Sequence, residues 1–169
     1  GTIDLTAVDD GVNALKLVKV SGTAGSLTGR WSGYSQAEGA DKVAAHEKLY
    51  RRIPVSTNWY DPEADSKPSP MAFRPRPHDE TGLSLLRGDD LTPAQAASSG
   101  TGKSYFVAEL LAGELQEHGI EVLPRPLPDA PHHAELPGLR YDNRKETEEV
   151  QVLLALELCR AVHGPFPGE

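Results

Sequence analysis

The chain has 169 residues, a formal net charge of −8 and a single cysteine, Cys159. This length suffices for one domain with a sizeable core, and a single cysteine excludes an internal disulfide. The acidic balance argues against a nucleic-acid partner, and the lack of an apolar run of ~20 residues argues against a membrane span. We therefore expect a cytoplasmic protein. Because the only methionine is Met71, we do not expect Gly1 to be a translation start.

The first part of the chain predicts a β-hairpin extension. Two β-rich runs, 2–8 and 13–20, flank an Asp-Gly turn at Gly11, which is a strong hairpin signal. Residues 21–39 carry five glycines and four serines, a composition that indicates a linker. We therefore predict that residues 1–40 are a hairpin extension with its linker and that residues 41–169 are an α+β domain.

Five short runs of that domain favour strands of a small mixed or antiparallel sheet. They are residues 49–53, 71–73, 83–87, 104–111 and 120–123. Residues 41–50 also fit a helix with Asp41 as its N-cap, so helix and strand compete around Leu49.

Local signals predict three helices. Thr92 followed by Pro93 is typical of a helix start, and Gly119 is placed to end a helix over 112–118. The longest prediction is a C-terminal helix over 144–163, whose apolar residues occupy more than one stripe. We expect this long helix to pack on one face of the sheet and to offer another face to a partner.

Polar residues that interrupt apolar runs are the best functional lead. A polar side chain that enters a core must be hydrogen-bonded or must serve a site. The candidates are Arg52, Ser69, Ser84 and His133. In one pocket, Arg52 would hold an anion, His133 would act as acid or base, and Ser84 would orient it.

Two other motifs carry weaker predictions. Residues 97–104 match a relaxed phosphate loop ending in Lys103-Ser, but the flanking sequence predicts helix–loop–strand, the reverse of the required order. His132, His133 and Glu135 could contribute to a metal site, yet on a strand His132 points away from the other two. We therefore predict neither a nucleotide nor a metal cofactor.

The remaining charged residues have ordinary interpretations. The adjacent Arg51 and Arg52 could turn one guanidinium inward, although pairing with an acid is the simpler reading. Three arginines beside prolines could form a small basic patch or be ordinary solubilising charges: Arg74, Arg76 and Arg125. Six acids could act as paired carboxylates: Glu63, Asp65, Asp79, Glu80, Asp89 and Asp90. The acids fall in predicted turns, where such residues are common. Cys159 lies in an apolar run and is expected to be a buried structural thiol.

Several of these segments, taken in order, resemble a set of small uncharacterised bacterial proteins with the pattern R-R-I-P … P-S-x-x-F … L-S … P-x-H-A. The matching segments are Leu49-Tyr-Arg-Arg-Ile-Pro54, Trp59, Pro68-Ser-x-x-Ala-Phe73, Gly82-Leu-Ser84, the predicted strand through Val107, and Pro128-x-x-Pro-x-His133-Ala. The resemblance covers residues 49–136. It implies a bacterial origin and a compact α+β module, and it implies no chemistry.

Two functions follow as expectations. The first is a non-catalytic interaction module of a larger bacterial assembly, with a protein partner or self-association, argued from the hairpin, the apolar last helix and the acidic surface. The alternative is a small-ligand-binding protein or enzyme that uses the pocket of Arg52, Ser84 and His133.

Overall fold

The computed structural model describes residues 42–98 and 101–168, and the predicted hairpin and linker of residues 1–40 lie outside them. The described residues from Val43 onwards belong to one compact unit. Its centre is a six-stranded sheet in which every pair of neighbouring strands is antiparallel. The expected α+β class is therefore confirmed.

The strands vary from two to seven residues. They are β1 (Lys48–Pro54), β2 (Leu83–Arg87), β3 (Tyr105–Leu111), β4 (Leu123–Pro124), β5 (His133–Leu136) and β6 (Ala161–Phe166). Their order across the sheet is β4-β5-β2-β1-β3-β6. β1 and β3 pair along the full length of both strands, from Lys48 opposite Leu111 to Pro54 opposite Tyr105.

The helices are short. They are α1 (Pro93–Ala97), α2 (Ala112–Glu117) and α3 (Glu148–Leu153), the last continuing as a π-helical segment over Leu154–Leu158. α1 begins as predicted. The Thr92 hydroxyl oxygen accepts a hydrogen bond from the Gln95 N–H, and the Gln95 side-chain oxygen accepts one from the Thr92 N–H. Two 3-10 helices, Pro70–Phe73 and Tyr141–Asn143, complete the described elements.

The two faces of the sheet carry different clusters, since side chains alternate along a strand. The larger core lies on the first face, where Leu49 and Ile53 of β1 pack with Phe73 and Leu154. The second face carries a small cluster of Tyr50, Ala96, Ala97 and Val107, covered by α1. The second face is the one that positions the candidate site.

The prediction of a long C-terminal helix over 144–163 is wrong. The helical segment spans 148–158, Cys159 is already extended, and the chain continues as β6 along the edge of β3. A sheet edge exposes N–H and C=O groups that need partners, and β6 supplies them. The apolar residues that suggested a single helix are therefore divided between a helix and an edge strand.

Three shorter elements also differ from expectation. Residues 71–73 form a 3-10 helix instead of a strand, because the Ser69 side chain accepts from the Met71 N–H and Pro70 begins the turn. Residues 42–47 are not helical, and the competing strand interpretation is the correct one. Of the predicted strand at 120–123, only Leu123 is paired.

Candidate functional site

A cavity of about 160 Å³ opens on the second face of the sheet. Its walls are mostly polar or aromatic, and they comprise Tyr50, Arg51, Arg52, Arg76, His78, Ser84, Leu85, Leu86, Tyr105 and His133. The three residues predicted to share a pocket, Arg52, Ser84 and His133, are therefore brought together. Ser69, the fourth candidate, instead caps a 3-10 helix.

Strand register brings Ser84 and His133 together. In the pairing of β2 with β5, Leu86 is opposite His133 and Ser84 is opposite Glu135. Ser84 and His133 are therefore diagonal neighbours on one face, at a separation that a long side chain bridges. The His133 Nε2 atom lies 3.2 Å from the Ser84 Oγ atom.

The other nitrogen of His133 identifies the tautomer of the neutral ring. His133 Nδ1 lies 2.9 Å from the carbonyl oxygen of Arg125. Because a carbonyl only accepts hydrogen bonds, Nδ1 carries the proton and Nε2 presents a lone pair. The Ser84 hydroxyl then donates to Nε2.

Arg52 reaches from β1 to the end of α1. Its Nε donates to the Ala96 carbonyl at 2.6 Å and its Nη2 to the Ser98 carbonyl at 2.9 Å. The last carbonyls of a helix have no intrahelical partner, so a guanidinium there satisfies them and fixes its own position. The Arg52 guanidinium also lies 5.9 Å from the ring centre of Tyr105. Burial lowers the pKa of Arg52.

Arg51 is the inward-turned guanidinium that the Arg51-Arg52 pair suggested. Its side chain is buried, with Nε donating to the Ala72 carbonyl at 3.0 Å and Nη1 to the Ser84 carbonyl at 2.9 Å. Its Nη2 lies 3.9 Å from Asp79 Oδ2 and makes no hydrogen bond within the described part of the chain. Burial lowers the pKa of Arg51 to about 10, against the opposing effect of Asp79.

Arg76 is the site residue that sequence reasoning placed elsewhere, in a surface basic patch. Its guanidinium lies 4.3 Å from the ring centre of Trp59. Its Nε and Nη2 atoms are buried and have no hydrogen-bond partner among the residues described. Trp59 was a signal that could have identified Arg76, because guanidinium groups commonly form cation–π contacts with the face of a tryptophan ring.

Asp79 is the buried carboxylate beside the cavity, and its contacts are structural. It accepts from the Arg76 N–H at 2.8 Å and from the Ser84 N–H at 3.2 Å. His78 Nε2 lies 3.5 Å from the Asp79 Oδ1 atom. These bonds tie the loop before β2 to the strand. Asp79 also lies 3.9 Å from Arg51 Nη2, and its charge opposes the lowering of the Arg76 pKa by burial.

The charges around the cavity favour an anion. Three arginines and no aspartate or glutamate are among its lining residues, and Asp79 lies 3.9 Å from Arg51 Nη2. Burial lowers the pKa of all three arginines, that of Arg51 to about 10, so Arg51 keeps its proton at neutral pH. The result is a local positive excess in an acidic protein, held in partly desolvated surroundings where attraction to an anion is strengthened.

The other residues considered as sites have ordinary contacts in the described part of the chain. Glu135 is bonded to Thr81 and paired with Arg125, and in residues 42–98 and 101–168 no group of three His, Cys, Asp or Glu side chains could hold a metal ion. Around Lys103 the described chain runs from α1 to β3, so the helix–loop–strand order is confirmed. Arg74 pairs with Glu148 on the surface.

Comparisons with family models, with curated proteins and with solved structures give no match to this chain. None of the described helices is both long and apolar enough to cross a bilayer. The functional argument therefore depends on the geometry of the cavity.

Proposed function

We propose that the chain binds a small anionic ligand in the cavity lined by Arg52, Ser84 and His133. The observation that carries this proposal is the set of buried, unpaired N–H groups on Arg51 and Arg76. An unpaired donor that is buried costs about 1–3 kcal/mol, more when it is charged. A ligand oxygen at these atoms would remove that cost and offset the charge.

The donors suit a planar or tetrahedral oxyanion. Guanidinium groups bind carboxylate and phosphate oxygens through paired N–H donors, with more directional preference than an ammonium has. Tyr50 and Tyr105 supply aromatic walls beside them. We therefore expect inorganic phosphate, and small molecules that carry a phosphate or carboxylate, to bind, and uncharged analogues not to bind.

Isothermal titration calorimetry with inorganic phosphate, at low ionic strength, tests this function. Arg76→Gln should weaken phosphate binding by about 10- to 100-fold, the loss of one charged hydrogen-bonding group. Arg74→Gln is the matched control, because Arg74 is two residues away and pairs with Glu148 outside the cavity. Equal binding by both variants, or no binding by the unaltered protein, would refute the proposal.

An interaction module is the second candidate. Its main argument from sequence, the long C-terminal helix, no longer holds. One observation still favours it: Val152 and Leu156 are 43% and 44% exposed one turn apart on α3 and its continuation. Light scattering tests it, since self-association through this face should be lost in the double variant Val152→Glu/Leu156→Glu. A monomeric unaltered protein would count against self-association.

A further inference from the structure

Ser84, His133 and the Arg125 carbonyl form a chain of hydrogen bonds that anion binding alone does not require. Ser84 Oγ is 3.2 Å from His133 Nε2, and His133 Nδ1 is 2.9 Å from the Arg125 carbonyl oxygen. A hydroxyl next to an imidazole that a third group orients is the arrangement of an activated nucleophile. The pair also lines the cavity that contains the guanidinium groups.

We propose that Ser84 is a nucleophile, with His133 as its general base, in the hydrolysis of a carboxylic ester that carries a negatively charged substituent. This proposal rests on the anion-binding function above. The charged substituent would lie at the guanidinium groups, and the ester carbonyl would lie at Ser84. Arg52 and Arg76 would then act as substrate-binding residues.

The reaction has two balanced steps. In the first, the Ser84 Oγ–H proton passes to His133 Nε2 while Oγ bonds to the carbonyl carbon. The ester C–O bond then breaks, the leaving alcohol takes the proton from His133, and an acyl-Ser84 remains. In the second, water attacks the acyl carbon and gives its proton to His133, which returns it to Ser84 as the carboxylic acid leaves.

The geometry favours attack at carbon over attack at phosphorus. Within the described residues, the imidazole bonded to Ser84 is that of His133. At a tetrahedral carbon the incoming and leaving oxygens can both face one imidazole, whereas an in-line displacement at phosphorus expels the leaving oxygen on the opposite side. Arg51 Nη1 is bonded to the Ser84 carbonyl and so helps to fix the backbone that carries the nucleophile.

The first test uses a fluorophosphonate probe and intact mass. The probe reacts at phosphorus, but its fluoride leaves without needing a proton. Oγ of Ser84 should therefore displace fluoride, with the Ser84 proton going to His133, and add the mass of the probe less that of HF to the protein. Tandem mass spectrometry should place the added mass on Ser84. Ser84→Ala should not be labelled, and His133→Asn should be labelled at least 100-fold more slowly. His132→Asn, one residue away and outside the cavity, should match the unaltered protein.

The second test compares three chromogenic substrates. The carboxylate-bearing ester mono-4-nitrophenyl succinate should be hydrolysed with a higher kcat/KM than neutral 4-nitrophenyl acetate. 4-Nitrophenyl phosphate should not be hydrolysed. Arg76→Gln should raise KM for the succinate ester more than for the acetate ester, whereas Arg74→Gln, at a residue that pairs with Glu148 outside the cavity, should leave both esters unchanged. Ester hydrolysis that survives Ser84→Ala, or hydrolysis of the phosphate substrate instead, would overturn the proposal.

Phosphate titration separates this proposal from the function on which it rests. Ser84→Ala and His133→Asn should keep a cooperative urea unfolding transition, which shows that they are folded. If the unaltered protein binds phosphate but neither reacts with the probe nor cleaves the esters, the nucleophile proposal fails and anion binding stands. If it cleaves neutral and charged esters equally and binds no phosphate, the anion-binding function fails.

Discussion

The guanidinium group of Arg76 stacks 4.3 Å from the ring centre of Trp59, while two of its nitrogens are buried without a hydrogen-bond partner in the described structure. The tryptophan therefore positions a charged group whose donors remain available. Such a contact is worth about 0.5–2 kcal/mol. We therefore expect the affinity for the proposed anion to depend on an aromatic residue that does not line the cavity.

This stacking predicts the effect of replacing Trp59. Trp59→Leu should weaken phosphate binding by about 2- to 30-fold, because Arg76 loses the surface that orients it. Trp59→Phe keeps an aromatic face and should show a smaller loss. Calorimetric titration of the folded variants measures both. Unchanged binding by Trp59→Leu would mean that Arg76 is held by other contacts.

Glu47 should make the fold sensitive to acid. Burial alone would raise the pKa of Glu47, but the hydrogen bonds from Arg87 and from the Ala44 N–H outweigh it and lower the pKa below its usual 4.5. A carboxyl whose pKa is lowered on folding stabilises the fold above its unfolded pKa and loses that contribution as the pH falls through its folded pKa.

The corresponding variant is Glu47→Gln. At pH 7 it should lower the free energy of unfolding by roughly 1–3 kcal/mol, as expected for lost hydrogen bonds to a charged group. The difference in unfolding free energy between Glu47→Gln and the unaltered protein should shrink as the pH falls below 4.5, the ordinary pKa of a glutamate carboxyl. Urea unfolding at several pH values measures it. Glu117→Gln, at an exposed position, should have little effect at any pH.

Two residues of the 3-10 helix Pro70–Phe73 should differ sharply in their contribution to stability. Phe73 is fully buried in the larger core, whereas Met71 is 45% exposed. Phe73→Ala should cost about 3–5 kcal/mol, because it leaves a cavity that the core cannot fill. Met71→Ala should lower the free energy of unfolding by no more than about 0.5 kcal/mol, as is usual for surface substitutions. Chemical denaturation tests the pair, and similar losses would contradict the packing described.

Gly119 should resist replacement by a side chain. Its φ is +75°, where a Cβ is strained, although no atom lies within 4 Å of the Cβ position. Gly119→Ala should therefore cost roughly 1 kcal/mol through backbone strain. Gly138→Ala is the control, since its surroundings are equally open and its φ is not in the left-handed region. Thermal unfolding compares them, and an equal cost for both would exclude the strain argument.

Cys159 should be inert in the folded protein. Its side chain is buried, and burial raises the pKa of the thiol against the opposing effect of Lys67. Because the thiolate is the reactive form, a disulfide reagent at pH 8 should react far more slowly with the native protein than with the protein in guanidinium chloride. As Cys159 is the only cysteine, the released chromophore counts one site. Rapid reaction of the native protein would contradict this burial.

Sequence reasoning succeeded where the signal was local. The alternation of Leu83–Arg87 and the β-favouring residues of Tyr105–Leu111 predicted β2 and β3, and Thr92-Pro93 predicted the start of α1. It failed over 144–163, because an apolar run of that composition suits a helix or an edge strand equally well. The choice depended on the unpaired edge of β3, which lies about 50 residues earlier in the chain.

The sequence by itself determined that this is an α+β chain with an acidic balance, and it marked Arg52, Ser84 and His133 as polar residues inside apolar runs. Only the tertiary structure decided that they share a cavity and that Arg76 joins them, because strand register and a loop contact to Trp59 set those distances. Residue types specify which groups can act as donors, acceptors or bases. Their separation depends on pairing between distant segments, and no local pattern encodes it.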